Sequence, residues 1–523
     1  MRRLIWLLLI PYAFLLGQNP NIPKDARVGY EAIRANDLSA RLHFIASPLL
    51  EGRETTFRGQ KVAAQYIASE FQRLGLRPIG DSGSYFQRFG VEATRISENS
   101  TIAVKNQQGT KTFGIQKDFV TTAALDGPIT ARAIFIGYMD TKVDSALTKG
   151  RIIIAFPGRK DDARDASVPA LRRFGLIRQF PGSVATIAIA DDSGNGSIEK
   201  LSIRFGSMMK NGVLAVVGAE PRGGRAGRGF PTLVSSSLAN EILKETGRSV
   251  EQLRLSAYQD SSFSPITLNQ STITLDIRNS KELKSTENVV GFLEGSDPVL
   301  KDQVVAFTAH YDHLGITADG TVYPGADDDG SGTVTVMQLA QAFTTNPVKP
   351  KRSILFMTVV GEEKGLWGSE WYVKHPIIPL EKTVADLNTD MIGRVDKKYD
   401  DLKDPNYVYV IGSDKISTQL DSVLRVSNKG TENLKLDYTY NDDKDPNQFY
   451  RRSDHYNFAR NGIPIVFFFT GVHADYHKPT DTVDKILFDR MAKIVRVIYT
   501  TGWNVANMRN PPAKNVGSTM FAK

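Results

Sequence analysis

The sequence contains no cysteine. Disulfide bonds and thiolate metal ligands are therefore excluded, so any transition-metal site must consist of His, Asp and Glu side chains. Long apolar runs are also missing beyond the N-terminal segment, and no later stretch resembles the ~20 apolar residues of a membrane-spanning helix. The sequence predicts a chain folded by apolar packing, without a stable membrane span once that segment is removed.

A strong excess of one charge is absent as well. The formal net charge is +8 over 523 residues, and no run of Lys and Arg with interleaved aromatics occurs. Such an excess is typical of a solvated surface, and nucleic-acid binding is not predicted. Hydrophobic residues make up 41% and charged residues 23% of the chain, as in ordinary globular proteins. A chain of this length is expected to contain two or three compact units.

The N-terminal segment Met1–Gly17 begins with Arg2 and Arg3, continues with an apolar stretch and ends with a small residue. This order is typical of a secretory signal peptide. An uncleaved N-terminal anchor is the alternative interpretation. Because no cysteine follows the apolar stretch, attachment of a lipid to a thiol is excluded. We expect export to the periplasm or the extracellular medium.

Two patterns of apolar residues divide the rest of the chain. Residues 115–265 hold short apolar runs bounded by Gly, Pro and Asp, and they predict an inserted β-rich domain. From Thr286 onward strands and helices alternate, and uninterrupted apolar strands predict a mainly parallel sheet covered by helices. We therefore predict an α/β fold that consists of a signal peptide (1–17), the first part of the main domain (18–114), the insert (115–265), the remaining main domain (266–508) and a tail (509–523).

Histidine is scarce, with seven residues in all, and six of them follow Thr286. His310 and Asp312 lie at the end of the predicted strand Gln303–Ala309, where ligands gather in an α/β sheet. A histidine there can bind zinc while Asp312 receives its other ring N–H and fixes the tautomer. The alternative is a solvated strand end with ordinary polar residues.

Two acidic groups come next. Asp327–Asp329 lie beside glycines at the start of a predicted helix, where carboxylates also favour the helix dipole for structural reasons. A dication would relieve their mutual repulsion, and one carboxylate with two oxygens can bridge two ions. Glu362 and Glu363 follow another predicted strand, where one can coordinate a metal while the other acts as a general base. A solvent-facing helix start is the alternative for this pair.

Two further motifs also lie at or just beyond predicted strands. They are Asp390 and Tyr476–His477. Each is ordinary alone. In this order along one α/β sheet, however, the five motifs together predict a metal centre at the ends of the strands.

The motifs resemble those of the two-zinc (co-catalytic) metallopeptidase family that contains secreted bacterial aminopeptidases, glutamate carboxypeptidase II and the glutaminyl cyclases. The resemblance rests on AHYDHLG, PGADDDGSG, GEEKGLWGS, NTDMIGR, SDHYNF and DYHKPTDT, and on SPLLEGRETTFRGQKVAAQYIASEFQRLGLRP and TENVVGFLEG upstream. It implies the zinc exopeptidase-like phosphorylase/hydrolase fold. The segment 115–265 resembles a protease-associated (PA) domain in its pattern of short apolar runs and in its position along the chain.

The resemblance also implies two Zn²⁺ ions and their ligands. His310 and Asp390 would bind one ion. Glu363 and His477 would bind the other, and Asp328 would bridge both.

Further roles are implied for neighbouring side chains. Glu362 would be the general base, and Asp312 would be the partner of His310. Tyr476 aligns with a residue that helps to stabilise the tetrahedral intermediate in some members. Asp329 departs from the Asn that many members carry, at a position that is not a ligand.

The other histidines receive weaker interpretations. His455 is interpreted as structural or as supporting the ligands, although it lies in a family motif. His313 and His473 line the pocket or lie on the surface. His43 and His375 are taken as ordinary residues.

Taken together, the resemblance implies an exported exopeptidase that acts on peptides or proteins, an aminopeptidase that hydrolyses N-terminal peptide bonds. A carboxypeptidase of the same family would share every ligand and differ in its pocket. A glutaminyl cyclase uses one zinc, against which the complete set of five ligands argues. A non-catalytic, receptor-like relative is disfavoured because Glu362 and the ligands are retained.

Overall fold

The computed structural model describes residues 22–123, 125–161, 180–192, 194–218, 232–260 and 263–516. The predicted signal peptide, Met1–Gly17, lies outside these residues. The chain forms two compact units. The first contains the chain up to Gln87, Glu287–Leu314 and the chain from Pro324 onward, and the second contains Arg88–Thr286 and Gly315–Tyr323.

The first unit is built on a mixed sheet. Its strands include, in spatial order, Lys435–Asp437, Tyr407–Ile411, Ile465–Phe469, Thr383–Thr389, Val304–His310, Ser353–Val359 and Asn279–Leu293, the last of which belongs to this unit from Glu287 onward. The four strands from Ile465–Phe469 to Ser353–Val359 run parallel to their neighbours. Tyr407–Ile411 and Asn279–Leu293 join this group in antiparallel pairs. The prediction of an α/β fold with a mainly parallel sheet is confirmed.

Helices accompany this sheet. They are Arg27–Glu31, Ala35–Ile45, Arg58–Arg73, Gly332–Thr345, Trp367–Lys374, Lys397–Leu402, Thr418–Lys429, His455–Ala459 and Phe488–Asn507. Every residue of the strands Val304–His310 and Ser353–Val359 is buried, as expected for parallel strands covered on both faces. Within the described ranges, no helix is long and apolar enough to cross a membrane.

Aromatic rings fix one of these helices against the sheet. Phe307 and Phe356, on neighbouring strands, stack with 5.7 Å between ring centroids. Phe343 of the helix Gly332–Thr345 lies 5.5 Å from Phe307 and 4.8 Å from Tyr499, measured between centroids. Such close packing leaves the helix little freedom to shift. The loop that carries Asp327–Asp329 precedes this helix, and it is called the acidic loop below. It is therefore held at one edge of the sheet.

The second unit has a sheet of its own. Its strands are, in spatial order, Gly109–Gly114, Thr101–Asn106, Ile266–Asp276, Ile129–Tyr138, Ile152–Phe156, Ala185–Ile189, Thr232–Val234 and Phe119–Val120. Helices Ser145–Thr148, Ile198–Asn211, Ser236–Ile242 and Val250–Gln259 accompany it. The unit contains the range 115–265 and is longer at both ends, because Thr101–Asn106 pairs with Ile266–Asp276.

Candidate metal centre

The predicted ligands meet where the parallel strands end. His310 is the last residue of the strand Val304–His310, and Asp390 directly follows the strand Thr383–Thr389. Glu363 comes four residues after the end of Ser353–Val359. Because neighbouring parallel strands end at the same edge, these side chains converge although they are far apart in sequence.

The acidic loop turns its three carboxylates in different directions. Asp329 accepts hydrogen bonds from the main-chain N–H groups of His310, Gly332 and Met391, at 2.8–3.2 Å. Asp327 accepts one from the N–H of Gly393 at 2.6 Å. Asp328, in contrast, points its carboxylate at histidine rings. Asp329 thus ties together the strand end, the helix start and the residue after Asp390 without facing the centre.

Asp328 stands between two groups of donor atoms. Its Oδ1 lies 3.3 Å from Nε2 of His310, which is 3.7 Å from Oδ2 of Asp390. Its Oδ2 lies 3.1 Å from Nε2 of His477, which is 3.3 Å from Oε2 of Glu363. Each oxygen of one carboxylate therefore faces a separate imidazole–carboxylate group.

The donor atoms fit metal ions. Nε2 of His310, Oδ2 of Asp328 and Oε1 of Glu363 are buried and lack a well-directed hydrogen bond among the described residues. Buried polar atoms are otherwise almost always paired, because an unpaired one is costly. Imidazole nitrogens and carboxylate oxygens are ligands that zinc accepts in proteins.

The charges of the protein itself favour positive charge at the donor groups. Burial lowers the pKa of His310, but the charges of Asp390 and Glu362 outweigh burial and raise that pKa well above its usual value. Burial likewise lowers the pKa of His477, while bonds to Asp328 and Glu363 raise it to about 10. The imidazoles thus hold protons where cations could bind instead.

Glu362 lies beside the donor groups and makes a different set of contacts. Its Oε2 is 3.9 Å from Nε2 of His310. Burial raises the pKa of Glu362 well above its usual value, and the charges of Glu363 and Asp390 add to this effect. A carboxylate with a raised pKa can take up and return a proton near neutral pH.

Asp312 contacts His310 differently from the sequence-based interpretation. Nδ1 of His310 lies 3.1 Å from the main-chain oxygen of Asp312 and 3.8 Å from its carboxylate. The carboxylate instead accepts hydrogen bonds from the hydroxyl of Thr55 at 2.8 Å and from the main-chain N–H of Glu362 at 3.2 Å. The ring is therefore oriented by the backbone of Asp312, and the side chain holds the main chain of Glu362.

Arg53 is a buried residue whose role the sequence reasoning missed. Its guanidinium donates hydrogen bonds at 2.6–2.9 Å to the main-chain oxygens of Ile45, Tyr311, Pro324 and Gly325. Burial lowers the pKa of Arg53 to about 10, so it stays charged at neutral pH. The only sequence signal was the position of Arg53 within the upstream stretch that resembles the family.

The loop that carries His477 is tied to the acidic loop. The carboxylate of Asp481 accepts the main-chain N–H groups of Asp327 and Asp328 at 3.0–3.2 Å. Nε2 of His473 lies 3.2 Å from Oδ2 of Asp327. Two of the ligand-bearing loops are thus connected by side chains that themselves face away from the centre.

The remaining histidines divide into buried and exposed ones. His455 is buried, contacts the main-chain oxygen of Tyr450 through Nε2 at 2.9 Å and stacks on a phenylalanine ring. His313 is buried as well, with Nδ1 2.9 Å from Oε1 of Glu363. His43 and His375 are exposed.

A pocket opens beside the donor groups. Three carboxylates and a set of largely apolar side chains line it: Asp328, Glu362, Asp390, Met391, Phe449, Arg452, Ser453, Phe467, Phe469, Val472 and Tyr476. Arg452 is exposed, and its guanidinium lies 3.3 Å from the hydroxyl of Tyr476 and 4.9 Å from the ring centroid of Phe449. Carboxylates and apolar rings thus lie side by side in the wall of this pocket.

An α/β sheet with imidazole and carboxylate groups gathered at its strand ends suits a metal-dependent enzyme. Residues 288–501 of the chain match the model of Peptidase family M28. The sequence-based identification of this family is thereby confirmed.

Curated relatives match parts of the chain. A probable leucine aminopeptidase 2 of Aspergillus oryzae is 34% identical over 203 residues, which are 38% of this chain and 36% of that protein. Aminopeptidase YwaD of Bacillus subtilis is 25% identical over 247 residues, which are 46% of this chain and 49% of that protein. The matches thus span about a third to a half of these relatives.

Solved structures share the fold over nearly the whole chain. An aminopeptidase from Aneurinibacillus sp. strain AM-1 superposes with a TM-score of 0.54 at 17% identity, covering 94% of this chain and 97% of that one. BSAP, a zinc aminopeptidase from Bacillus subtilis, gives a TM-score of 0.52 at 19% identity, covering 90% and 95%.

Proposed function

We propose that this protein is an exported aminopeptidase whose activity depends on two zinc ions. The observation that carries the proposal is the position of Asp328, whose two oxygens each face a separate histidine at 3.1–3.3 Å. His310 and Asp390 would hold one ion, and Glu363 and His477 the other. A bridging carboxylate of this kind suits a site with two metals.

The names of the relatives and the chemistry of the pocket support action on the amino end of peptides. Both curated relatives described above are named aminopeptidases. Three carboxylates line the pocket and would attract a positively charged α-amine, and Arg452 is its one basic residue among those described. The apolar rings favour a substrate with an apolar first side chain.

When bound, the zinc ions would polarise the peptide carbonyl and lower the pKa of the attacking water. Glu362 then accepts a proton from that water and passes it to the nitrogen of the departing amine. Tyr476 lines the pocket, and its hydroxyl donates a hydrogen bond to the carbonyl oxygen as negative charge develops there. Asp312 holds the main chain of Glu362 in place during both proton transfers.

A substrate panel tests the proposal. Peptides and aminoacyl amides with free or blocked ends are incubated with the zinc-loaded protein, and the released residues are identified. We expect hydrolysis only when the α-amine is free, and loss of activity after treatment with a chelator. Release from the carboxyl end of N-blocked peptides would instead identify the carboxypeptidase alternative.

Export rests on the pattern of Met1–Gly17. We propose that this segment is removed during secretion, so the mature protein begins shortly after Gly17. N-terminal sequencing of the secreted protein tests this. Recovery of intact Met1 in a membrane fraction would favour the anchor instead.

A further inference from the structure

His313 is a buried histidine to which the family resemblance assigns no ligand role. It is 0% exposed, and its main-chain N–H donates to the carbonyl of Arg53 at 3.3 Å. Within the described part of the chain, neither ring nitrogen has a well-directed hydrogen bond. A buried imidazole whose ring nitrogens lack well-directed hydrogen bonds is costly, so the ring requires an explanation.

The ring faces the second donor group. Nδ1 of His313 lies 2.9 Å from Oε1 of Glu363 and 3.8 Å from Oδ2 of Asp328. These three residues can place one ligand atom each within 4.8 Å of one another. His313 and His477 therefore contact the same two carboxylates, those of Asp328 and Glu363. His313 is buried, whereas the side chain of His477 is 38% exposed.

The separations match those of atoms that share one ion. Ligands about 2.0–2.1 Å from a tetrahedral zinc lie roughly 3.3 Å from each other. His313 gives 2.9 and 3.8 Å to its two carboxylate neighbours, and His477 gives 3.1 and 3.3 Å. The 2.9 Å contact between Nδ1 of His313 and Oε1 of Glu363 is short enough for a hydrogen bond, but its direction is poor, since neither atom is part of a well-directed one.

We propose that His313 is a further protein ligand, through Nδ1, of the ion held by Asp328, Glu363 and His477. This inference rests on the proposed two-zinc function. That ion then has four protein ligands, whereas the ion at His310, Asp328 and Asp390 has three. Closed coordination is typical of tightly held, structural zinc, and an open position is typical of catalytic zinc. The ion near His313 should therefore bind first and more tightly.

A zinc-loaded crystal structure of the mature protein tests the coordination without any variant. We expect Nδ1 of His313 about 2.0–2.1 Å from the ion near Glu363, as for other imidazole ligands. A separation of more than about 3 Å, beyond any bond to zinc, would overturn the inference while leaving the two-zinc proposal intact. Binding of fewer than two ions would instead contradict the proposed function.

Zinc titration of His313→Gln provides the second test. We expect the tighter of the two dissociation constants to weaken by about 100-fold or more, since even loss of a partner of a ligand costs about 10–100-fold. His43→Gln is the control, because it removes an exposed imidazole whose contacts are with Ser39 of its own helix. If His313→Gln fails to fold, as judged by thermal melting, His313→Asn replaces it. Unchanged zinc affinity in a folded variant would contradict the proposal.

Discussion

The carboxylate of Asp481 accepts the main-chain N–H of Asp328 at 3.2 Å. The two residues are 153 positions apart, and Asp481 lies four residues beyond His477. The same carboxylate accepts the N–H of Asp327. The ligand-bearing loops are therefore set relative to each other by a side chain that does not reach the donor groups.

Removing this connection should weaken metal binding. We expect Asp481→Ala to lower zinc affinity by about 10–100-fold, the usual effect of losing a group that supports ligands. Competition with a chromophoric chelator measures this. Asp484→Ala, an exposed residue of the same segment, is the control and should bind zinc normally. Equal affinities of the two variants would show that Asp481 does not position the ligands.

The two adjacent glutamates should separate catalysis from metal binding. Glu362→Gln keeps the shape but cannot accept a proton, so turnover should fall by roughly 10²–10⁴ while zinc content is retained. Glu363→Gln should lose zinc together with activity, because a neutral amide is a poor ligand. Metal analysis and steady-state kinetics on both variants give the answer. The reverse pattern would exchange the two roles.

Asp328 should control both ions. Because its two oxygens face different donor groups, Asp328→Ala is expected to disturb both sites and to bring the zinc content well below two equivalents. Asp390→Ala changes only the donor group that contains His310, so it should retain the ion at Glu363 and His477. Atomic absorption after dialysis measures both variants. Retention of one ion with unchanged affinity in Asp328→Ala would indicate that the carboxylate is not shared.

The buried carboxyl of Asp386 should make stability depend on pH. Burial raises its pKa to about 8 from an ordinary 3.8, although a hydrogen bond from Thr308 lowers it. The folded protein then binds a proton that the unfolded chain releases above pH 4. This stabilisation is complete at low pH and is lost as the pH rises to about 8.

The variant Asp386→Asn stays neutral and should avoid that loss. Its free energy of unfolding is expected to fall less than that of the wild type between pH 5 and pH 8, as measured by urea denaturation. Asp489→Asn, which changes an exposed residue, should follow the wild type. If all three proteins lose the same stability over this range, the Asp386 carboxyl is ionised in the folded state.

Arg53 should be needed for stability as well as for the centre. Arg53→Met removes the donors of four main-chain oxygens, each worth about 1–3 kcal/mol when left unsatisfied. We expect a loss of about 3–5 kcal/mol in the free energy of unfolding, since water and relaxation recover part of the sum. Arg58→Met, at a largely exposed arginine, should cost little. A melting temperature unchanged by Arg53→Met would refute this role.

The fold was predictable where its signals are local. Apolar strands such as Ser353–Val359 can be read from a few consecutive residues, and so can the glycine-bounded acidic loop before the helix Gly332–Thr345. The boundaries of the second unit were harder to predict from the sequence. Its strand Thr101–Asn106 is fixed by pairing with Ile266–Asp276, a partner more than 150 residues away.

By itself, the sequence determined which residue types stand at the strand ends, because parallel strands share an edge and their motifs must converge there. Only the tertiary structure decided which side chain turns inward. It turns Asp328 towards the histidines and Asp329 towards main-chain amides. It also brings Arg53 to Tyr311 across 258 positions and buries His313 beside Glu363. These outcomes depend on distances between segments remote in sequence, which no local periodicity encodes.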